Sequence, residues 1–101
     1  MSAVSDHGEF NELIHAPIRL RICASLAPLK YAEFAQLRDS LGIADSVLSK
    51  HLKQLSEAEF IDVEKFSKGG RSHVRLMLTP NGRQAYVRHV AALRSLTEGS
   101  Y

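Results

Sequence analysis

Several things are scarce in this sequence, and each absence excludes something. One cysteine, Cys23, among 101 residues rules out an intramolecular disulfide framework and suits a reducing compartment. Tryptophan is missing and aromatic residues make up only 7%. No apolar run approaches the roughly 18 residues of a membrane span. The first residues lack the basic-then-apolar pattern of a secretory signal. A cytoplasmic protein with no membrane partner is expected. No glycine-rich phosphate loop, nucleophile elbow or clustered Cys/His spacing occurs, so neither catalysis nor a metal or other cofactor is expected. No repeat, low-complexity tract or linker divides the chain, which reads as one domain over residues 1–101 with residues 1–6 frayed.

Charge is also missing in places. Residues 1–16 contain Asp6, Glu9 and Glu12 but no lysine or arginine, whereas residues 65–75 contain Lys65, Lys68, Arg71 and Arg75 but no acid. The net charge of +2 hides this asymmetry. A dense basic segment calls for a polyanionic partner or a solvated edge.

What is present is periodic. Residues 8–15 place Phe10, Leu13 and Ile14 on one helical face. Pro17 suits a first helical turn, and Ile18, Ile22, Cys23 and Leu26 continue as a buried stripe that leaves Arg19 and Arg21 aside. After Pro28, residues 29–31 read as a short extended piece. A helix over about 32–41 follows, burying Phe34, Leu37 and Leu41, with Gly42 at a left-handed exit. Asp45 reads as the N-cap of a helix over 46–58. Two helices joined by so short a glycine-containing link have helix-turn-helix spacing (34–58). The period then drops to two in "FIDVEKF" and "SHVRLMLT", around "SKGGR", which predicts a hairpin over 60–79 with glycines at its tip. Thr79 and Pro80 open a last helix over 80–97, with Ala85, Tyr86, Val90, Leu93 and Leu96 as its stripe. The architecture is mainly α with a small β-hairpin: a winged helix-turn-helix whose terminal helices are expected to form a dimer interface.

The stretch "FAQLRDSLGIADSVLSKHLKQL" (34–55), the "GGR" of the hairpin (69–71), "LTPNGRQA" (78–85) and "LIHAPIRLRICASL" (13–26) together resemble the bacterial winged helix DNA-binding proteins of MarR/ArsR-like type over about residues 9–96. The resemblance implies a dimeric transcriptional regulator, usually a repressor, that touches DNA with a recognition helix and a wing. One departure stands out: the family commonly has glycine just after the recognition helix, where this chain has Glu59. A left-handed backbone there would cost about 1 kcal/mol relative to glycine.

The helix over 46–58 has a leucine face (Leu48, Leu52, Leu55) and an opposite face of short or basic polar residues. Short side chains let a helix approach base edges closely, serine donates or accepts, glutamine pairs with adenine, and lysine reaches guanine or phosphate. Ser46, Val47, Ser49, Lys50, Lys53 and Gln54 are therefore the candidate major-groove contacts with double-stranded DNA. Lys68 and Arg71 at the hairpin tip, with His73 and Arg75 behind them, are the candidate wing contacts; the bland alternative is a charged edge strand guarding against aggregation. Phe10, Leu13, Ile14, Tyr86, Val90, Leu93 and Leu96 are the candidate homodimer interface. A winged helix used only to bind proteins, or a metal- or redox-responsive sensor built on Cys23 and the histidines, are the alternatives. Whether a small-molecule effector acts on it, and which, the sequence leaves open.

Overall fold

A computed structural model of the chain describes residues 10–98. The expectation for residues 1–6 lies outside that range. The elements run α1 (Glu12–His15), α2 (Pro17–Leu26), β1 (Ala32–Glu33), α3 (Phe34–Leu41), α4 (Asp45–Glu57), β2 (Ile61–Lys68), β3 (Arg71–Leu78) and α5 (Pro80–Glu98). The strands form one antiparallel sheet in the order β1-β3-β2. Helices and hairpin enclose an aliphatic core of Ile14, Ile22, Cys23, Leu26, Leu37, Leu41, Leu48, Leu52, Leu55, Ile61, Leu76 and Leu78.

Local chemistry explains the boundaries, including those the periodicity misses. The first helix begins at Glu12, because the Asn11 side chain accepts the Ile14 N–H at 2.9 Å and caps it there. Phe10 therefore precedes the helix, packing against the rings of His15 and His89. The extended piece is Ala32–Glu33, one step later than expected, because Glu33 and Gln36 form a capping box that starts α3 at Phe34. Asp45 is the first residue of α4 and not its cap, which is Ala44. The Asp45 carboxylate instead accepts from Arg38 Nη1 at 3.0 Å, tying the two helices together across their turn. Gly42 takes φ +66° and its N–H reaches the Arg38 carbonyl at 2.9 Å, closing α3 as expected.

Glu59 follows α4 with φ +63°, the left-handed conformation that side chains with a Cβ disfavour. The strand that follows is held by Phe60 N–H on the Leu55 carbonyl at 2.9 Å and by Thr79 Oγ1 donating to the Glu59 carbonyl at 2.7 Å. Glu59→Gly is expected to stabilise the fold by up to about 1 kcal/mol, with glycine's extra unfolded-state freedom subtracting part of the gain; a chemical-denaturation midpoint checks it.

The last helix is rotated from the face its apolar residues suggest. Its buried positions are Gly82, His89 and Ala92, with Ala85 and Tyr86 partly buried against the core. His89 is completely buried because it is fully partnered. Its Nδ1 accepts the Asn11 backbone N–H at 3.0 Å, so its proton sits on Nε2, which donates to His15 Nδ1 at 3.3 Å. A proton added to His89 would face the Asn11 N–H donor to donor. Burial, then the neighbouring His15, hold its pKa below the ordinary 6.5, with Glu12 opposing weakly. The unfolded chain accordingly takes up its proton near pH 6.5 before the folded chain does, so this contribution to stability is complete above that pH and is lost as the pH falls below it. Melting temperature is expected to fall from pH 7.5 to 5.5, less steeply in His89→Gln, which keeps an acceptor and does not titrate.

Candidate nucleic-acid interface

Leu48, Leu52 and Leu55 fix which side of α4 is inside. Ser46, Ser49, Lys50 and Lys53 stand exposed on the opposite side, and Val47 is half-buried beside them. The structure therefore gathers four of the six predicted α4 positions on one open stripe. Gln54 departs from it: its Oε1 accepts from Arg19 Nη1 at 2.7 Å, turning the amide toward α2. Periodicity alone set Arg19 apart from any role.

The hairpin is in register from Ile61↔Leu78 to Lys68↔Arg71. Gly69 and Gly70 have φ +60° and +77°, the pair of positive values that a two-residue type I′ turn demands. Side chains alternate along each strand, and this decides which of them share a face with α4. Val63 and Val74, with Phe34 and Leu52, line an open groove of about 350 Å³ whose rim is Ser49, Lys53, Ser56 and Glu57. The face looking toward α4 is thus the one bearing Val63, Lys65, Ser67, Ser72 and Val74. Lys65, exposed and paired with Val74, belongs beside the α4 stripe. It is absent from the candidate contacts read from the sequence, although its odd-numbered spacing from Ile61 and Val63 signals the face.

His73 and Arg75, expected among the wing contacts, leave the other face and are engaged by partners within the chain. His73 Nδ1 lies 3.2 Å from Glu33 Oε1, and its ring stacks on Phe66. Arg75 Nε donates to Glu64 Oε1 at 2.7 Å, with the guanidinium between the rings of Tyr31 and Phe66. These contacts brace the wing against β1. Lys68 and Arg71 start from that same face but lie at the chain reversal. Lys68 stays 66% exposed and its contact with Glu33 is long, 3.6 Å, an ion pair of little energetic weight. Arg71 is exposed, with no ion pair among the described residues. Both tip cations remain available to phosphates.

Of the predicted interface residues, Ile14 is completely buried within its own chain. It is core, because α1 folds back over α2 and α5 and covers it. Leu13 and Tyr86 are partly buried against the same core, as Val90 and Leu93 are half-buried. Phe10 and Leu96 stay open, at 40% and 66% exposure, as does Val87, at 59%, which was not among the predicted interface residues.

Cys23 is buried, which pushes its thiol up to about 11 and keeps it a neutral, unreactive group. The His15–His89 pair uses its facing nitrogens on each other, and His89 Nδ1 is occupied by an N–H donor. Neutral metal-bound histidine needs an N–H on its second nitrogen, so this arrangement does not suit a metal. No group of three or more His, Cys, Asp or Glu side chains converges among the described residues. No helix among them is long and apolar enough to cross a membrane.

A three-stranded sheet with a glycine-tipped hairpin, set beside a helix-turn-helix, defines the class. The chain belongs to the winged helix DNA-binding domain family, whose profile matches residues 18–97. It is 30% identical over 87 residues to an uncharacterized protein of Methanocaldococcus jannaschii, covering 86% of this chain and 95% of that one. Among solved structures it is similar to a transcriptional regulator homologue of Pyrococcus horikoshii (TM-score 0.83, 22% identity, 88% of each chain). It is also similar to the PcaV transcriptional regulator of Streptomyces coelicolor, solved with its natural ligand (TM-score 0.69, 16% identity, 91% of this chain and 66% of that one). At those identities the structural likeness establishes the fold.

Proposed function

We propose that the chain is a sequence-specific, homodimeric DNA-binding transcriptional regulator, a repressor in its sense of control, acting on an inverted-repeat operator. Helix α4 enters the major groove through Ser46, Val47, Ser49, Lys50 and Lys53. Lys65, Lys68 and Arg71 meet the flanking backbone or minor groove. The observation that carries this reading is the open stripe of short and basic side chains on α4, backed by a fully buried leucine face. A helix rigidly mounted on a core, with serines where bulk would hold it off, is suited to reading base edges. Membership of the winged helix DNA-binding domain family supports it.

The exposed apolar residues of α5 support a homodimer. After Ala92 no position of α5 is buried, yet Leu93 and Leu96 continue on that part of the helix. Two-fold pairing would cover them and set two recognition helices about 34 Å apart, one turn of DNA. Replacing Leu93 and Leu96 together by Asp is expected to shift the protein from dimer to monomer in sedimentation equilibrium and to weaken operator binding at least tenfold. A variant that remains dimeric would remove α5 from the interface.

Titration of a short duplex at several salt concentrations tests the DNA-binding reading. With Lys50, Lys53, Lys65, Lys68 and Arg71 of each protomer available to phosphates, log affinity should fall with log salt at a slope of several units. A flat dependence favours the protein-interaction alternative.

A further inference from the structure

Arg19 is half-buried on α2 and makes three directed contacts. Its Nε donates to the Leu13 carbonyl in α1 at 2.6 Å, and its Nη1 donates to Gln54 Oε1 at 2.7 Å and to His51 Nδ1 at 3.1 Å, both on α4. Leu13 lies in a helix of four residues, whose carbonyls have few partners of their own. His51 and Gln54 are one turn apart, on the boundary between the leucine face of α4 and its open stripe. Leucines hold a helix against a core without direction and tolerate small rotations about its axis. A planar guanidinium, anchored at one end on a backbone carbonyl and bonded at the other to two successive turns, does not.

We propose that Arg19 is the positioning residue of the recognition helix, fixing the rotation of α4 relative to α1 and α2 so that the stripe meets base edges in one register. This deepens the DNA-binding reading and rests on it. Arg19 supplies discrimination between sequences and not general affinity, because it is turned inward and its charge is spent on protein acceptors. The clamp also requires His51 to be neutral. Arginine only donates, so His51 Nδ1 must accept, and protonated His51 would set two donors against each other at 3.1 Å. The charged groups around His51 are Arg19 from α2 and Lys50 on its own helix; burial first, then these two cations, already lower its pKa, while the Gln54 hydrogen bond acts weakly the other way.

The test uses the full chain, a duplex enriched by the wild-type protein from a random pool, and an unrelated duplex of equal length. The quantity read is the ratio of the two affinities for wild type, Arg19→Met and His51→Phe. Arg19→Met is expected to reduce the ratio at least tenfold while binding to the unrelated duplex stays within about twofold. His51→Phe keeps the ring's bulk without the acceptor and is expected to reduce the ratio severalfold; it carries the test if Arg19→Met does not fold. The wild-type ratio should also fall from pH 7.5 to 5.5, and that fall should be absent in His51→Phe. A wild-type protein that enriches no sequence defeats the DNA-binding reading itself. A wild type that does discriminate, with both variants retaining its ratio within twofold, overturns the role of Arg19 alone.

Discussion

Gly82→Ala should destabilise the fold by about 3 kcal/mol or more, the upper range for overpacking at a site that does not relax. In a domain of this size that lowers the melting temperature by more than roughly 10 °C. On propensity alone the sign should be opposite, since alanine inside a helix is favoured over glycine by about 1 kcal/mol. Packing reverses it. A Cβ at position 82 would lie 1.9 Å from the Phe60 carbonyl oxygen and under 3 Å from the Phe60 carbonyl carbon and Cα. These are backbone atoms, so no rotamer change relieves the overlap. Nor is the Phe60 carbonyl free to move, because it accepts the Thr79 N–H at 3.0 Å, while Thr79 Oγ1 accepts the Gly82 N–H at 2.8 Å and so caps α5. The contact joins the exit of α4, the end of β3 and the start of α5 at one point. Thermal unfolding followed by circular dichroism reads the effect. A Gly82→Ala protein that melts at or above the wild-type temperature would mean that α5 does not sit this closely on Phe60.

Reversing the wing-tip charges with Lys68→Glu and Arg71→Glu is the second large expected effect, this time on binding. Each phosphate that the protein ceases to neutralise takes about 0.9 from the slope of log affinity against log salt. The double variant should therefore reduce the slope by about two per protomer and weaken binding on the order of a hundredfold at low salt, with the added repulsion contributing. Its fold should be intact, because both side chains are exposed and only the long Lys68–Glu33 ion pair is broken. The companion substitutions separate the two faces of the hairpin. Lys65→Ala should weaken binding severalfold. Arg75→Ala should change it less than about threefold, since Arg75 is held by Glu64, Tyr31 and Phe66 on the far face. An Arg75 effect exceeding that of Lys65 would mean the hairpin meets DNA by its other face.

Much of the fold is legible in the chain because short-range rules act strongly here. Gly42 at a helix exit, Thr79-Pro80 at a helix entry, and Gly69-Gly70 between two alternating segments each have one low-energy reading, and each adopts it. The leucines of α4 are buried as their spacing demands. The strain anticipated at Glu59 is present as a positive φ. What escaped depends on partners in other elements of the fold. His89 looks like a surface residue until Asn11, 78 positions away, supplies its N–H. Arg19 looks like a solvated charge until α4 brings His51 and Gln54 to it. Asp45 has the composition of a cap, but Arg38 draws its carboxylate across the turn. His73 and Arg75 also have partners within the chain that their own strand does not announce. Their acidic and aromatic partners depend on the register of β1 and β2 against β3, which no single segment reveals. Ile14 carries an apolar signature that suits an interface or a core equally, and only the path of α1 over α2 and α5 separates the two.

Whether the α4 stripe and the basic wing read DNA sequence as a two-fold pair is tested most directly by selecting the full-length protein's preferred sites from a random-sequence duplex pool at two salt concentrations. The expected result is an enriched inverted repeat, its half-sites one helical turn apart, with affinity falling steeply at the higher salt. Recovery of no common sequence, with weak binding that disappears at physiological salt, would contradict it.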